Sequence, residues 1–273
     1  MFTICYPRVG AHRFAFIINE IRAKGGKDNL TNRHDIEKCL ILDNNNWRIF
    51  IDAHDGLTGI QETSLEIVTQ IVKKMHPAKK NFYVISNFST NGHLNVVQFA
   101  TKFGLTIIQC HPWSLYFEAV MIANSMSKTS SHDGKLLFVG TITPQRKFML
   151  SSLKDYYNDR FDCISGLKTY DCMSVVRNSM YCVQLDGIGP RHQTYEAMAV
   201  GIPSLIQENS YLHATVRNSN IVLNFEQSPS INELEDIRTE YAEKAYKAYK
   251  EKMTSSAIVS EIFDKVGDLV EIY

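Results

Sequence analysis

The chain has 273 residues, enough for two domains of ordinary size or one large one. Its 44% hydrophobic and 21% charged content is that of a soluble globular protein, which excludes a disordered or fibrous chain. Lysine plus arginine equals aspartate plus glutamate, 29 against 29, so no overall field draws nucleic acid or a membrane surface and any phosphate recognition must be local.

The N-terminal stretch MFTICYPRVGAHRF lacks the long apolar core of a signal peptide, and no run reaches about 18 apolar residues. As written the chain reads as cytoplasmic, with no membrane segment; a lumenal protein trimmed of its anchor would read the same. The six cysteines, Cys5, Cys39, Cys110, Cys163, Cys172 and Cys182, show no Cys-x-x-Cys pair or metal-ligand spacing, and several sit in apolar runs that predict buried free thiols. Asp43 to Asn46 (DNNN) is polar without the spacing of a calcium loop. A strand is predicted over 47–53 (WRIFIDA), then a helix over 59–75, a strand over 81–87, a helix through 93–103 and a strand over 105–110. Such alternation, with continuous apolar strands, predicts a parallel sheet covered on both faces. Residues 125–134 are polar and small, and read as a linker; His132 and Asp133 within it suit a solvated turn.

A second alternating unit follows: strands over 135–140, 161–165, 181–185 and 203–207, with helices over 144–157, around 170–179 and from Arg191 onward. A long charged helix spans 230–253, where Tyr241, Tyr246 and Tyr249 alternate with lysines in the manner of a packing helix. The last helix, 257–273, places Ile258, Ile262, Val266 and Val270 at helical spacing. The architecture is α/β, two Rossmann-like units joined by a linker.

In open parallel sheets, ligands bind beyond the carboxyl ends of the strands. After KLLFVG, Gly140 and Thr141 would bring backbone close to a ligand, and Arg146 with Lys147 would counter phosphate charge; a solvated first helical turn is the plain alternative. After YCVQL, the flexible turn of Asp186, Gly187 and Gly189 leads into a helix near Arg191. Free N–H groups there favour an anion that Arg191 can grip bidentately. Glu196, acceptor-only when ionised, suits vicinal hydroxyls such as a ribose diol, but would equally serve as a surface or capping carboxylate. No GxGxxG follows a predicted strand, which disfavours a dinucleotide oxidoreductase.

Together, DGKLLFVGTITPQRKFMLSSL and YDCMSVVRNSMYCVQLDGIGPRHQTYEAMAVGIPSLI resemble the C-terminal half of the exostosin-like glycosyltransferases. The matching positions are Gly140, Arg146, Ser179 to Val183, Gly189, Arg191, Glu196 and Gly201 to Pro203. EAMAVGIP is also similar to the nucleotide-sugar site of many GT-B enzymes, and NNNWRIFIDAHDGLTG over 44–59 is a weaker echo of the same family. The chain departs from the pattern in its short N-terminal half, in lacking the usual anchor, and in having Val200 before Gly201 where a cysteine is common.

The resemblance implies a GT-B fold: two Rossmann-like domains facing each other across a cleft, with C-terminal helices returning to the first. Residues 1–124 would form the acceptor domain, 125–134 the linker, 135–254 the nucleotide-sugar domain and 255–273 the returning helix. The donor residues it implies are Gly140, Thr141, Arg146, Lys147, Ser165, Asp186, Gly187, Gly189, Arg191, Gln193 and Glu196. Asp55 is the implied base for the acceptor hydroxyl, with His54 second, while Asp52, His111 and Trp113 are expected on the acceptor side. A satisfied structural role is the alternative for Asp55 and His111. The reaction implied is metal-independent, cofactor-free and inverting transfer from a UDP-sugar to a glycan hydroxyl. The lack of an extra basic residue for a uronate leans toward UDP-xylose, and the lack of an Asp-x-Asp motif disfavours a metal-dependent GT-A enzyme. Two other readings remain at this point: a non-catalytic nucleotide-sugar or glycan-binding module, and a GT-B-like nucleotide-sugar epimerase.

Overall fold

The computed structural model describes residues 1–52, 60–86, 98, 100–111, 127–128, 131–167, 169–185, 192–207, 214–224 and 227–271. The chain divides into two compact units: Met1–Phe117 with Thr254–Tyr273, and Glu118–Met253.

The first unit contains β1 (Phe2–Pro7), α1 (Ala15–Ala23), β2 (Gly26–His34), β3 (Cys39–Asp43), β4 (Trp47–Asp52), α2 (Ile60–Lys74), β5 (Lys80–Ser86) and β6 (Leu105–Cys110). The chain's last helix, α8 (Ser255–Glu271), belongs to it as well. Its sheet runs in the order β2-β1-β3-β4-β5-β6. β4, β5 and β6 are parallel, but β3 is antiparallel to both β1 and β4, so the wholly parallel sheet expected from the apolar runs is corrected to a mixed one. The cause is the polar DNNN segment. Asn44 Oδ1 accepts from the backbone N–H of Asn46 (2.9 Å) and of Trp47 (2.8 Å), closing a turn between β3 and β4. A connection that short joins only antiparallel strands.

Alternation along these strands builds two apolar layers. On one face Ile4, Leu40, Leu42, Ile49, Ile51, Phe82 and Val84 pack with Ile17 and Ile21 of α1 and with Ile258, Val259, Ile262 and Val266 of α8. On the other, Ile41, Phe50, Tyr83 and Ile85 pack with Ile67, Val68 and Ile71 of α2.

The second unit contains β7 (Leu136–Val139), α3 (Pro144–Tyr157), β8 (Phe161–Ile164), α4 (Thr169–Asn178) and β9 (Tyr181–Gln184). These are followed by α5 (His192–Ala199), β10 (Ser204–Gln207), α6 (Ala214–Ser219), β11 (Ile221–Leu223) and α7 (Ile231–Lys252). The strand order is β11-β10-β9-β7-β8, and every neighbouring pair is parallel. All residues of β7 and β9 are buried, which is why these strands read as apolar runs, broken only by Gln184 at the end of β9. α7 starts at a capping box formed by Ser230 and Glu233, and Tyr181 Oη donates to its Leu234 carbonyl at 2.9 Å.

The described residues of 125–134 are bonded into this unit. Lys128 pairs with Glu243 of α7, the Asp133 N–H donates to the Asn178 carbonyl (2.8 Å), and Arg160 Nε donates to the Gly134 carbonyl (2.8 Å). His132 and Asp133 are exposed and accept from the backbone N–H groups of Gly134 and Lys135, as a turn does. The cysteines are free thiols; Cys39, Cys110, Cys172 and Cys182 are buried and Cys163 is exposed. Among the described residues no helix is long and apolar enough to cross a membrane.

Candidate functional site

In the second unit the chain leaves β7 for β8 on one side and then returns to place β9 on the other. β7 and β9 therefore flank a topological switch point, the place where open α/β sheets take ligands. The strand register sharpens this. β7 pairs with β8 along all of its length, but with β9 only at Leu136–Tyr181 and Leu137–Cys182. The ladder between β7 and β9 thus covers only the first half of each strand.

At the exit of β7, Gly140 has φ 148°, a conformation open almost only to glycine, and its N–H bonds the Ile164 carbonyl at the end of β8 (3.0 Å). Thr143 then caps α3, its hydroxyl accepting from the Arg146 N–H at 3.3 Å, with Pro144 in the first turn. The Arg146 side chain is buried, and its Nη1 donates to the Thr141 carbonyl at 2.8 Å. Thr141 and Lys147 are exposed beside it, as is Ser165 just beyond β8. The predicted residues Gly140, Thr141, Arg146 and Lys147 thus gather at one side of the switch point.

On the other side α5 begins at His192. Asp186, Gly187, Gly189 and Arg191, which precede it, lie outside the described residues. Gln193 and Glu196 are three apart, hence on one face of the helix. Glu196 is only 2% exposed, which removes its reading as a surface carboxylate, and Oε1 has no hydrogen-bond partner among the described residues. Burial pushes its carboxyl up to about 8. Cys172 of α4 is pushed to about 12, by burial first and by the Glu196 charge second. Burial, with smaller contributions that include Glu196, also raises Cys182 of β9 and Tyr249 of α7. Gln184, at the end of β9, donates from Nε2 to Cys182 Sγ (2.9 Å), while its Oε1 is buried without a partner among the described residues. Each buried unsatisfied acceptor costs about 1–3 kcal/mol. That is a load the fold carries at this site.

In the first unit, Asp52 ends β4 and is buried, with Oδ2 accepting from Tyr83 Oη at 2.6 Å. Burial first, and then the Asp52 charge, raises the Tyr83 hydroxyl well above its usual value. His111, at the end of β6, meets Glu261 of α8 twice: its backbone N–H and its Nδ1 are each 2.9 Å from Oε2. Lys265 holds the other oxygen of Glu261 (2.7 Å) and donates to the Gln109 carbonyl (2.6 Å). Burial alone would raise the Glu261 carboxyl, but these hydrogen bonds outweigh it and hold it below its usual value. Tyr83, Gln184 and Glu261 were not singled out in the sequence, which offers no motif for pairings made by distant strands and helices. His54, Asp55 and Trp113 lie outside the described residues. Among the described residues no group of three or more His, Cys, Asp or Glu converges as metal ligands would.

No protein-family model and no curated protein matches the chain. Solved structures do. The DNA-modifying enzyme β-glucosyltransferase, whose substrate is uridine diphosphoglucose, is 12% identical with a TM-score of 0.51, and the match covers 97% of this chain and 98% of that one. AviGT4, a glycosyltransferase of avilamycin A biosynthesis, is 10% identical at a TM-score of 0.48, covering 95% and 89%. A TarM mutant of S. aureus in complex with fondaparinux, alpha-GlcNAc-glycerol and UDP is 12% identical at 0.44, covering 69% of this chain and 51% of that one, about half its length. The chain-long match to β-glucosyltransferase, with two separate α/β units, gives the protein the two-domain GT-B fold.

Proposed function

We propose that the protein is a glycosyltransferase that moves a sugar from a UDP-sugar to a hydroxyl of a glycan acceptor. The observation that carries this reading is the switch point between β7 and β9, beyond which α3 and α5 both begin. Two helix N-termini at one edge offer free N–H groups to a diphosphate. Arg146 and Lys147 on the β7 side and Arg191 on the α5 side would add positive charge, with Gly140, Thr141, Ser165, Asp186, Gly187, Gly189 and Gln193 shaping the donor contacts. Glu196 would accept from the ribose hydroxyls. Exostosin-like enzymes are the family this reading favours, and a neutral sugar such as xylose is its preferred cargo.

In the proposed reaction the acceptor hydroxyl gives its proton to Asp55, with His54 as the second candidate, as its oxygen attacks the anomeric carbon. The bond from that carbon to the β-phosphate oxygen breaks with its electron pair, and UDP leaves. A single displacement inverts the anomeric centre. The arginines and helix N-termini stabilise the charge that grows on the diphosphate, and no metal is required. Asp52, His111 and Trp113 would shape the acceptor side, Asp52 fixed by Tyr83 and His111 by Glu261.

A thermal-shift panel of nucleotide sugars tests the donor site. One UDP-sugar should raise the melting temperature in the presence of a chelator, and Arg191→Ala should abolish the rise. No response to any nucleotide would sink the reading. Asp55→Asn should keep donor binding and lose transfer; conversion of the donor with no acceptor present would point to an epimerase, and binding without turnover in the native protein to a binding module.

A further inference from the structure

At one corner of the first unit the chain gathers cations on projecting turns. β1 pairs with β2 from Phe2–Gly26 to Cys5–Asn29 and next at Pro7–His34, so a single residue, Tyr6, lies opposite residues 30–33, which project from the edge. Asn29 Oδ1 accepts from Thr31 Oγ1 (2.9 Å) and from the Asn32 N–H (3.1 Å), folding that projection into a turn. The exit of β1 is tied to it and to the start of β3: the Arg8 N–H donates to the His34 carbonyl (2.9 Å) and the Lys38 N–H to the Val9 carbonyl (3.1 Å). Arg8, Arg33 and Lys38 are thereby neighbours, with His12 and Arg13 in the turn that follows. Arg8 and Arg33 are exposed and Lys38 is half-buried. None of the three makes an ion pair among the described residues. Of the nearby carboxylates, Asp28 is held by Arg22 (2.7 Å) and Asp35 by Lys74 (2.9 Å), which leaves Glu37 as the counter-charge.

Like charges gathered in this way repel one another. His12 and Arg13 add to the load, because cations oppose the dipole of the helix they lead into and no acidic residue of its first turn offsets them. Lys38 has φ 52°, a left-handed conformation that glycine takes freely, yet the chain places a cation there. Beside these charges Val9 and Leu30 are 52% and 62% exposed. An anionic lipid surface meets both demands, taking apolar side chains into its headgroup region and cations at its phosphates. A soluble polyanion has no use for the apolar tips, and a single-stranded nucleic acid seeks aromatic rings, none of which is exposed in 1–52. We infer that this corner of the first unit docks on anionic lipid, with Val9 and Leu30 entering the headgroup region and Arg8, Arg33 and Lys38 meeting the lipid phosphates. The docking surface goes beyond the donor reading above and does not depend on it.

Flotation of the full chain with vesicles tests this. The vesicles are phosphatidylcholine, alone or with about a third of phosphatidylserine. The native chain should float with the anionic vesicles but not the neutral ones, and should leave them as salt rises. Arg8→Glu/Arg33→Glu should weaken that binding by about tenfold or more, and Val9→Ser/Leu30→Ser by several-fold. Lys247→Glu/Lys250→Glu, the same change of charge on α7, should leave it as it was. Equal binding to both kinds of vesicle, or to neither, overturns the inference, and so does an equal loss in the α7 variant. Heparin and duplex DNA form the remaining arm. If the native chain binds either more tightly than the anionic vesicles, and Val9→Ser/Leu30→Ser binds it just as well, the corner serves a soluble polyanion and the lipid assignment falls. Val9 and Leu30 are exposed, so their variant decides the matter should the charge reversals fail to fold.

Discussion

Glu196 retains a proton in the folded chain up to about pH 8, whereas the same group ionises near its ordinary value of 4.5 once exposed. Between those values the folded state binds more protons than the unfolded one. This contribution to stability is therefore whole below pH 4.5, falls as pH rises, and levels off above about 8. Each unit of pH within the window counts for about 1.4 kcal/mol. Glu196→Gln removes the ionisation and should raise the melting temperature relative to the native chain clearly at pH 8.5 and little at pH 5. An equal difference at both pH values would show that the carboxyl is not held neutral. Sequence reading placed Glu196 on the right helix but not in the interior. α4 and α7 pack against its helix, and no local pattern encodes that packing.

Among the elements, those buried on both faces were the easiest to read. β7 is apolar throughout and β9 up to its last residue, Gln184, because both strands are buried, so the strands themselves could be read from the sequence. β2 was invisible for the converse reason. It is an edge strand paired only with β1, and its residues GKDNLTNRH face water along most of their length. The reversed direction of β3 was equally hidden, since DNNN reads as a polar stretch until the Asn44 side chain is seen closing a hairpin. The exit of β7 offers a test at this scale. At φ 148°, Gly140 occupies backbone space that a side chain resists, so Gly140→Ala should cost roughly 1–3 kcal/mol in urea denaturation. An unchanged midpoint would mean that the β7–α3 turn relaxes without strain.

Across the molecule, the two units are built differently. The second is continuous in sequence, but the first is assembled from Met1–Phe117 and the distant Thr254–Tyr273. α8 buries Ile258, Val259, Ile262 and Val266 to within 3% of full burial against the first sheet. Four such side chains contribute roughly 6–12 kcal/mol, comparable to the whole stability of an ordinary domain. Truncation after Met253 should therefore unfold the first unit, lost as a calorimetric transition, while the second keeps its own. Two transitions at native temperatures after truncation would refute this.

That same connectivity makes the second unit an insert threaded into the first. Glu118–Met253 can be excised as one uninterrupted peptide, whereas no single uninterrupted peptide short of the whole chain contains the first unit. A protease that cuts once within 118–253 would leave the first unit's two pieces on separate polypeptides, with α8 of one packed on the sheet of the other. The apolar packing of Ile258, Val259, Ile262 and Val266, with the grip of Glu261 and Lys265 on His111 and Gln109, would then join the first unit's pieces in a nicked molecule. Cleavage of the insert would be silent on a native gel and visible only once the chain is denatured.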